Sequence, residues 1–275
     1  MIQTIVALFG LIFGSFLNVC IARVPRGESI VTPGSHCPGC DHSIRWYDNI
    51  PVLSYVLLRG HCRDCGRHIS LLYPLVEVLT AVVFLLEYWR YGLTIEFLKG
   101  AIFAMPVIVL IFTDLRERRI PHKISLTGIT LGVVFSFFVP VDNRPVGWIL
   151  AQWRIFPSSL LLSVIGALSG ASIGAGLFYA VGEIFYHLRH KEGLGFGDVM
   201  LMLLVGTFLG PPLTLMAILL GSLLGSLIAI PLTMISPKFR NYQWPYGTFL
   251  GVAALYASIG GDALLRAYLQ WGGFR

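Results

Sequence analysis

Residues 199–237 contain no Asp, Glu, Lys, Arg or His. A helix needs about 20 apolar residues to cross the hydrocarbon core of a bilayer, so this run is too long for one crossing. Gly210-Pro211-Pro212 interrupts it, which predicts a helical hairpin with its break at that point. The rest of the chain has the same character. Only 12% of its 275 residues are charged, and its mean hydropathy is +0.76. Soluble domains carry about 25% charged residues, so an ordinary soluble enzyme is excluded. The 13% aromatic content excludes disorder. The net charge of +6 raises the question of a nucleic-acid partner. The charges sit in short loops between apolar runs, which is membrane topology rather than a binding stripe, and no nucleic-acid partner is expected.

Apolar runs at 1–22, 69–89, 95–113, 124–141, 155–182 and 241–261 join the two arms of the 199–237 hairpin. The expected fold is an all-α membrane protein with eight transmembrane helices. The first run has neither a basic start nor a small-residue cleavage site, so it reads as an uncleaved span. Of the 20 Lys and Arg, 14 fall on one set of alternating loops, among them Arg23, Arg26, Arg116, Arg119, Lys191, Lys238 and Arg240. The remainder, which include Arg144 and Arg275, fall on the other. The positive-inside rule puts the first set in the cytoplasm and both termini outside. Gly166, Gly170 and Gly174, and again Gly221 and Gly225, recur at four-residue spacing. Small residues on one helix face let backbones approach closely in lipid.

Residues 23–70 form a polar loop holding Cys37-Pro-Gly-Cys40 and Cys62-Arg-Asp-Cys65. Two C-x-x-C pairs at this separation can close a tetrahedral thiolate shell around zinc. Four thiolates leave no open coordination position, so the metal is expected to be structural and to staple a loop too small for its own core. Disulfides are the alternative, disfavoured by the cytosolic placement of the loop. His36, His42, His61 and His68 flank the cysteines as loop residues. Cys20, within the first span, reads as a small buried hydrophobe.

Few acids fall within or beside the spans: Glu77, Glu87, Asp114, Glu183 and Asp198. Glu87 and Glu183 read as interfacial and solvated. Asp114 ends the third span and Asp198 opens the sixth, so both belong to the same membrane face. A single interfacial Asp is commonly a helix cap or half of an ion pair, and Arg116, Arg118 and Arg119 make that reading available for Asp114. Two facing carboxyls in a site of low dielectric do something else. One keeps a proton while the other acts as base toward a shared water, which is aspartic-protease chemistry. Gly195 and Gly197, just before Asp198, permit close backbone approach.

The opening Gly14-Ser15-Phe16-Leu17-Asn18-Val19 with Arg23 and Pro25 resembles the start of type IV prepilin peptidases. So do the two C-x-x-C pairs, Asn49-Ile50-Pro51, Leu53-Ser54-Tyr55, Tyr73-Pro74 with Glu77, Asp114-Leu115 with Ile120-Pro121, and Gly195-Phe196-Gly197-Asp198. The resemblance covers nearly the whole chain. It implies that Asp114 and Asp198 cleave the short basic leader of type IV prepilins and pseudopilins at the cytoplasmic face of the bacterial inner membrane. It also implies that the cysteine-bearing region, 1–91, methylates the new N-terminus with S-adenosylmethionine, while 92–275 forms the peptidase. By family position Gly14, Asn18, Arg23 and Glu77 are candidates for methyl transfer. Two positions depart from the family pattern: Met200 stands where a Lys commonly follows the second Asp, and His122 where an acid or Asn follows Pro121. A proton-coupled transporter and a non-catalytic scaffold using the zinc loop are the rival readings.

Overall fold

The computed structural model describes residues 1–141, 143–154, 157–190, 195–236, 239 and 242–272, with the side chains of 144 and 145 left aside. Among these the elements are helical: α1 (Ile2–Arg23), α2 (Leu53–Leu57), α3 (Leu72–Tyr91), α4 (Ile95–Glu117), α5 (His122–Ser136), α6 (Arg144–Gln152), α7 (Ser159–Arg189), α8 (Phe196–Ile235) and α9 (Tyr246–Trp271). They cluster into two compact units, Met1–Phe97 and Leu98–Arg275.

In the first unit α1 lies against α3. A Cβ added at Gly10 would sit 2.5 Å from Ala81 Cα, and one at Gly14 2.6 Å from Glu77 Cα. The i, i+4 pair of glycines therefore sets how close the helices come. The buried stripe of α3 runs Val76, Glu77, Thr80, Ala81, Val83, Phe84 and Glu87. Glu87 is fully buried, not solvated as the sequence suggested, because the three- and four-residue period carries it onto this stripe. Glu183, by contrast, is half-exposed on α7 and pairs with His187 Nε2 at 3.2 Å.

In the second unit glycines again set the spacing. Gly206 of α8 meets Gly170 and Ala171 of α7, Gly221 meets Leu250 of α9, and Gly251 of α9 meets Ile111 of α4. Phe103 of α4 and Phe208 of α8 place their rings 5.1 Å apart. The helical run of α8 is not one rod. Gly210 has φ 73° and ψ 178°, and the chain turns back there. A Cβ at Gly174 would touch both Met202 and Thr214, residues on opposite sides of Gly210. In a straight helix they would stand about 18 Å apart at 1.5 Å per residue. The expected hairpin is therefore present, with arms 196–209 and 211–235. Only glycine adopts this backbone conformation without strain.

Among the described residues, six helices are long and apolar enough to cross a membrane: α1, α3, α4, α7, α8 and α9. The expected count of eight spans differs from this number at two places. The run at 124–141 becomes α5, only 15 residues long. The two arms of α8 form one continuous helical assignment across the Gly210 kink. The expected starts at Ile155 and Asn241, the end at Pro237, and Lys191, Lys238, Arg240 and Arg275 of the charge count lie outside the described residues.

Candidate active site and metal centre

Asp114 closes α4, Asp198 lies in the first turn of α8, and Gly247 lies in the first turn of α9. These three helix ends meet. A Cβ placed on Gly247 would lie 3.1 Å from Asp114 Oδ2 and 3.1 Å from Asp198 Oδ1, so the two oxygens are no more than twice that apart. Asp114 and Asp198 are 7% and 9% exposed, which removes most of the water that would screen the repulsion of their carboxyls. Two carboxyls this close and this dry resist ionising together, so one favours its protonated form while the other can polarise a water. Asp114 is anchored: Thr248 donates its backbone N–H to Oδ2 at 2.7 Å. The Thr248 hydroxyl lies 3.1 Å from both Oδ2 and the Ile111 carbonyl oxygen. Ile120 walls the site, because both Gly197 and Gly247 lack the side chain that would collide with it. Gly197 thus permits a close approach, to Ile120, while Gly195 precedes α8 as its N-cap. The Arg118 guanidinium stacks 4.6 Å over the Tyr242 ring. The His122 ring lies 5.8 Å from that of Phe196.

The four loop cysteines also converge. Their sulfurs all lie within 4.8 Å of one another, and the Cys37 and Cys65 sulfurs are 3.8 Å apart. Zn–S bonds of about 2.3 Å in a tetrahedron put sulfurs about 3.8 Å apart. A disulfide needs about 2.05 Å, and all four cysteines are free. Gly39 donates its N–H to Cys37 Sγ at 3.4 Å, and this lowers the Cys37 thiol to about 6, toward the thiolate that metals bind.

Each cysteine pair is built on the same nine-residue plan, His36-Cys37-x-x-Cys40-x-x-Ser43-Ile44 and His61-Cys62-x-x-Cys65-x-x-His68-Ile69. Cys37 N–H bonds His42 O and Cys62 N–H bonds Arg67 O, while Ile44 N–H bonds Ser35 O and Ile69 N–H bonds Gly60 O. The residue after the second cysteine is left-handed in both, Asp41 at φ 58° and Gly66 at φ 67°. The flanking histidines serve this frame. His36 Nδ1 lies 3.1 Å from Gly34 O, and His61 Nδ1 lies 2.7 Å from Arg59 O. Arg67 Nη1 ties the two turns together by donating to Pro38 O at 3.2 Å. Arg63 grips Asp48 with two bonds, of 2.8 and 2.6 Å, and holds its carboxyl below the usual range.

The remaining candidates surround the top of the α1–α3 contact. Asn18 Nδ2 donates to Tyr73 O at 3.0 Å. Buried Arg23 donates to Ser29 O, Pro33 O and Gly34 O at 3.0, 2.7 and 3.0 Å, pinning the start of the loop. Glu77, 7% exposed, accepts the Val52 N–H at 2.8 Å. Val52 sits at φ 60°, a conformation that a β-branched residue adopts only under constraint. Gly14 presents bare backbone to Glu77.

Residues 8–91 match the family described as the bacterial peptidase A24 N-terminal domain, and residues 101–230 match the type IV leader peptidase family. A protein of Pseudomonas putida named prepilin leader peptidase/N-methyltransferase is 30% identical, over 98% of this chain and 95% of that one. The chain belongs to the type IV leader peptidase family. Proteins of the same name are 34% identical in Myxococcus xanthus, over 85% of this chain and 65% of that one, and 32% identical in Neisseria gonorrhoeae, over 96% and 93%. No solved structure matches the chain.

For a leader-peptidase chain, Gly247 and Thr248 are the site residues that sequence reasoning missed. They sit at the mouth of the last span, after Pro245, with no charge to mark them. Only the convergence of three helix ends shows their part. Thr248→Val keeps the backbone N–H to Asp114 but removes the hydroxyl, so turnover should fall roughly tenfold to a hundredfold, the worth of one hydrogen bond to a charged group. Steady-state kinetics of leader removal measures this, and unchanged turnover would make the hydroxyl's bond to Ile111 its only role.

Proposed function

We propose that this protein is a membrane aspartic endopeptidase that removes the basic leader of type IV prepilins and pseudopilins and then methylates the new N-terminus with S-adenosylmethionine. The observation that supports it most is the meeting of the buried Asp114 and Asp198 at Gly247, in the unit that holds the match to the leader peptidase family. In this reading the carboxyls share one proton. The ionised member takes a proton from water as it attacks the scissile carbonyl, and the protonated member donates to the forming oxyanion or the leaving amine. Which of the two starts as base is a property of the coupled pair. Thr248 keeps Asp114 in place, and Gly247 leaves room for the peptide backbone beside both acids.

Cys37, Cys40, Cys62 and Cys65 hold a structural zinc, which closes their loop without taking part in hydrolysis. Eight crossings are reached by counting α5 and the two arms of α8 separately. With the basic loops inside, the zinc loop and both aspartates face the cytoplasm, and both termini lie outside the inner membrane. Region 1–91 is assigned to methyl transfer and 92–275 to proteolysis. S-adenosylmethionine supplies an electrophilic methyl group on a sulfonium. Glu77, a buried carboxylate at the membrane edge, suits a cation, and its role is to hold the substrate ammonium or take its proton. Gly14, Asn18 and Arg23 keep α1, α3 and the loop in register around it.

Incubating the purified protein with a prepilin tests the reading. The expected product lacks the leader, and failure to shorten the pilin would leave a transporter or scaffold. Glu77→Gln should lower methylation of a pre-cleaved pilin at least tenfold and leader removal much less, because amine methylation has no use for the carboxyl pair. Mass spectrometry of the pilin N-terminus reads both. Equal methylation by the variant would return Glu77 to a purely structural role, holding Val52.

A further inference from the structure

The second arm of α8 and the first turn of α9 enclose a groove of about 260 Å³ that the carboxyl site does not use. One wall is Ser222, Gly225, Ser226 and Ala229, residues at i, i+3, i+4 and i+7 and so on one helix face. The other is aromatic, built on Tyr246 and Phe249. The Tyr246 hydroxyl is 2.7 Å from Ser222 Oγ, and its ring stacks on Phe178 with centroids 5.9 Å apart, so this wall is rigid. Ser226 is exposed at the mouth, on an arm taken from the longest uncharged run of the chain. The groove therefore opens toward lipid. Its volume is below the ~300–1,000 Å³ of small-molecule sites, enough for a few side chains of a larger body.

Its position decides what that body is. Tyr246 and Phe249 point into the groove from the same helical turn whose Gly247 and Thr248 face Asp114 and Asp198. The groove and the carboxyls thus lie on either side of one turn, about one helix diameter of 10 Å apart. A polypeptide that reaches this face through lipid must satisfy its own backbone, so it arrives as an apolar α-helix. Small residues on one wall let such a helix approach closely, and the aromatic wall supplies contact area. We propose that this groove docks a membrane-inserted apolar helix of the substrate, continuous with the scissile segment, and so delivers that segment around the start of α9 to the two aspartates. The proposal rests on the peptidase reading and adds to it the surface that selects substrates carrying such a helix.

The test compares two prepilin-derived substrates. One retains the apolar segment after the cleavage point and is embedded in vesicles. The other is cut a few residues beyond that point. The readout is the ratio of their kcat/KM values. Ser226→Leu fills the groove from its exposed mouth and should lower the ratio at least tenfold through a raised KM for the helical substrate. Ala229→Leu, a turn away, provides a second filling variant should the first insert poorly. Leu227→Trp, 69% exposed and turned about 100° from Ser226, is the control and should leave the ratio as in the wild type. A ratio unmoved by both filling variants overturns the proposal and leaves lipid as the occupant, with the peptidase intact. Wild-type protein that cleaves neither substrate overturns the peptidase reading and the docking proposal together.

Discussion

Asp114→Asn and Asp198→Asn should each reduce leader removal by about 10²–10⁴-fold, the usual worth of general acid–base catalysis. Asparagine keeps the size of the side chain and its capacity to accept the Thr248 N–H, but it can neither take nor give the proton. In the proposed mechanism the carboxyls work as a pair, so the double variant should be little worse than either single one, and this non-additivity separates a shared proton from two independent roles. Asp198 also lies in the first turn of α8, where an acid favours the helix terminus, so a structural account is available for it. That account predicts a loss of stability with cleavage retained. Leader-cleavage kinetics together with thermal unfolding in detergent distinguish the two. Near-normal turnover in either single variant would end the dyad assignment.

Purified protein should contain one zinc per chain by elemental analysis, and Cys37→Ser or Cys62→Ser should lose it. The expected effect is large because the loop has little else to hold it. Among the described residues of 27–70, only Cys37, Ser54 and Gly60 are buried. Structural zinc in small domains contributes about 10–16 kcal/mol of apparent binding free energy, so metal loss should unfold the loop outright. Amide hydrogen exchange should then rise across 35–69, including the paired bonds of Ile44 and Ile69, while the helices stay protected. The ion pair of Asp48 with Arg63 works in the same direction. Its carboxyl is held below the ordinary range, so its contribution is present above the unfolded pKa and lost as pH falls through the folded one. A metal-free preparation with normal protection in the loop would contradict the assignment.

Much of this is legible in one dimension because lipid imposes one-dimensional rules. Uncharged runs near 20 residues mark helices, and C-x-x-C pairs mark a metal shell whatever surrounds them. The break at Gly210 follows from Gly-Pro-Pro alone, since proline cannot donate and the glycine takes a backbone that other residues avoid. Other features are not legible in this way. Glu87 has the local neighbourhood of an interfacial residue, Tyr88 and Trp89, yet its helical phase buries it. The α5 segment is apolar for longer than it is helical, because helix length depends on what the ends pack against as well as on hydropathy. The shared plan of the two cysteine turns escapes notice because only His, two Cys and Ile recur. Its real content is a set of backbone bonds that many side chains permit.

The sequence by itself determined that the chain is helical and built for a membrane, that residues 23–70 carry four cysteines spaced to hold a metal ion, and that two acids stand at the ends of spans on one face. Each of these is a matter of composition, period or spacing along the chain. The tertiary structure decided that Asp114 and Asp198 meet at Gly247, that Thr248 anchors one of them, and that a groove lies one helical turn away. Those are distances between residues far apart in sequence. They are set by glycine contacts that let α7, α8, α9 and α4 close on one another, and no periodicity records where such helices meet.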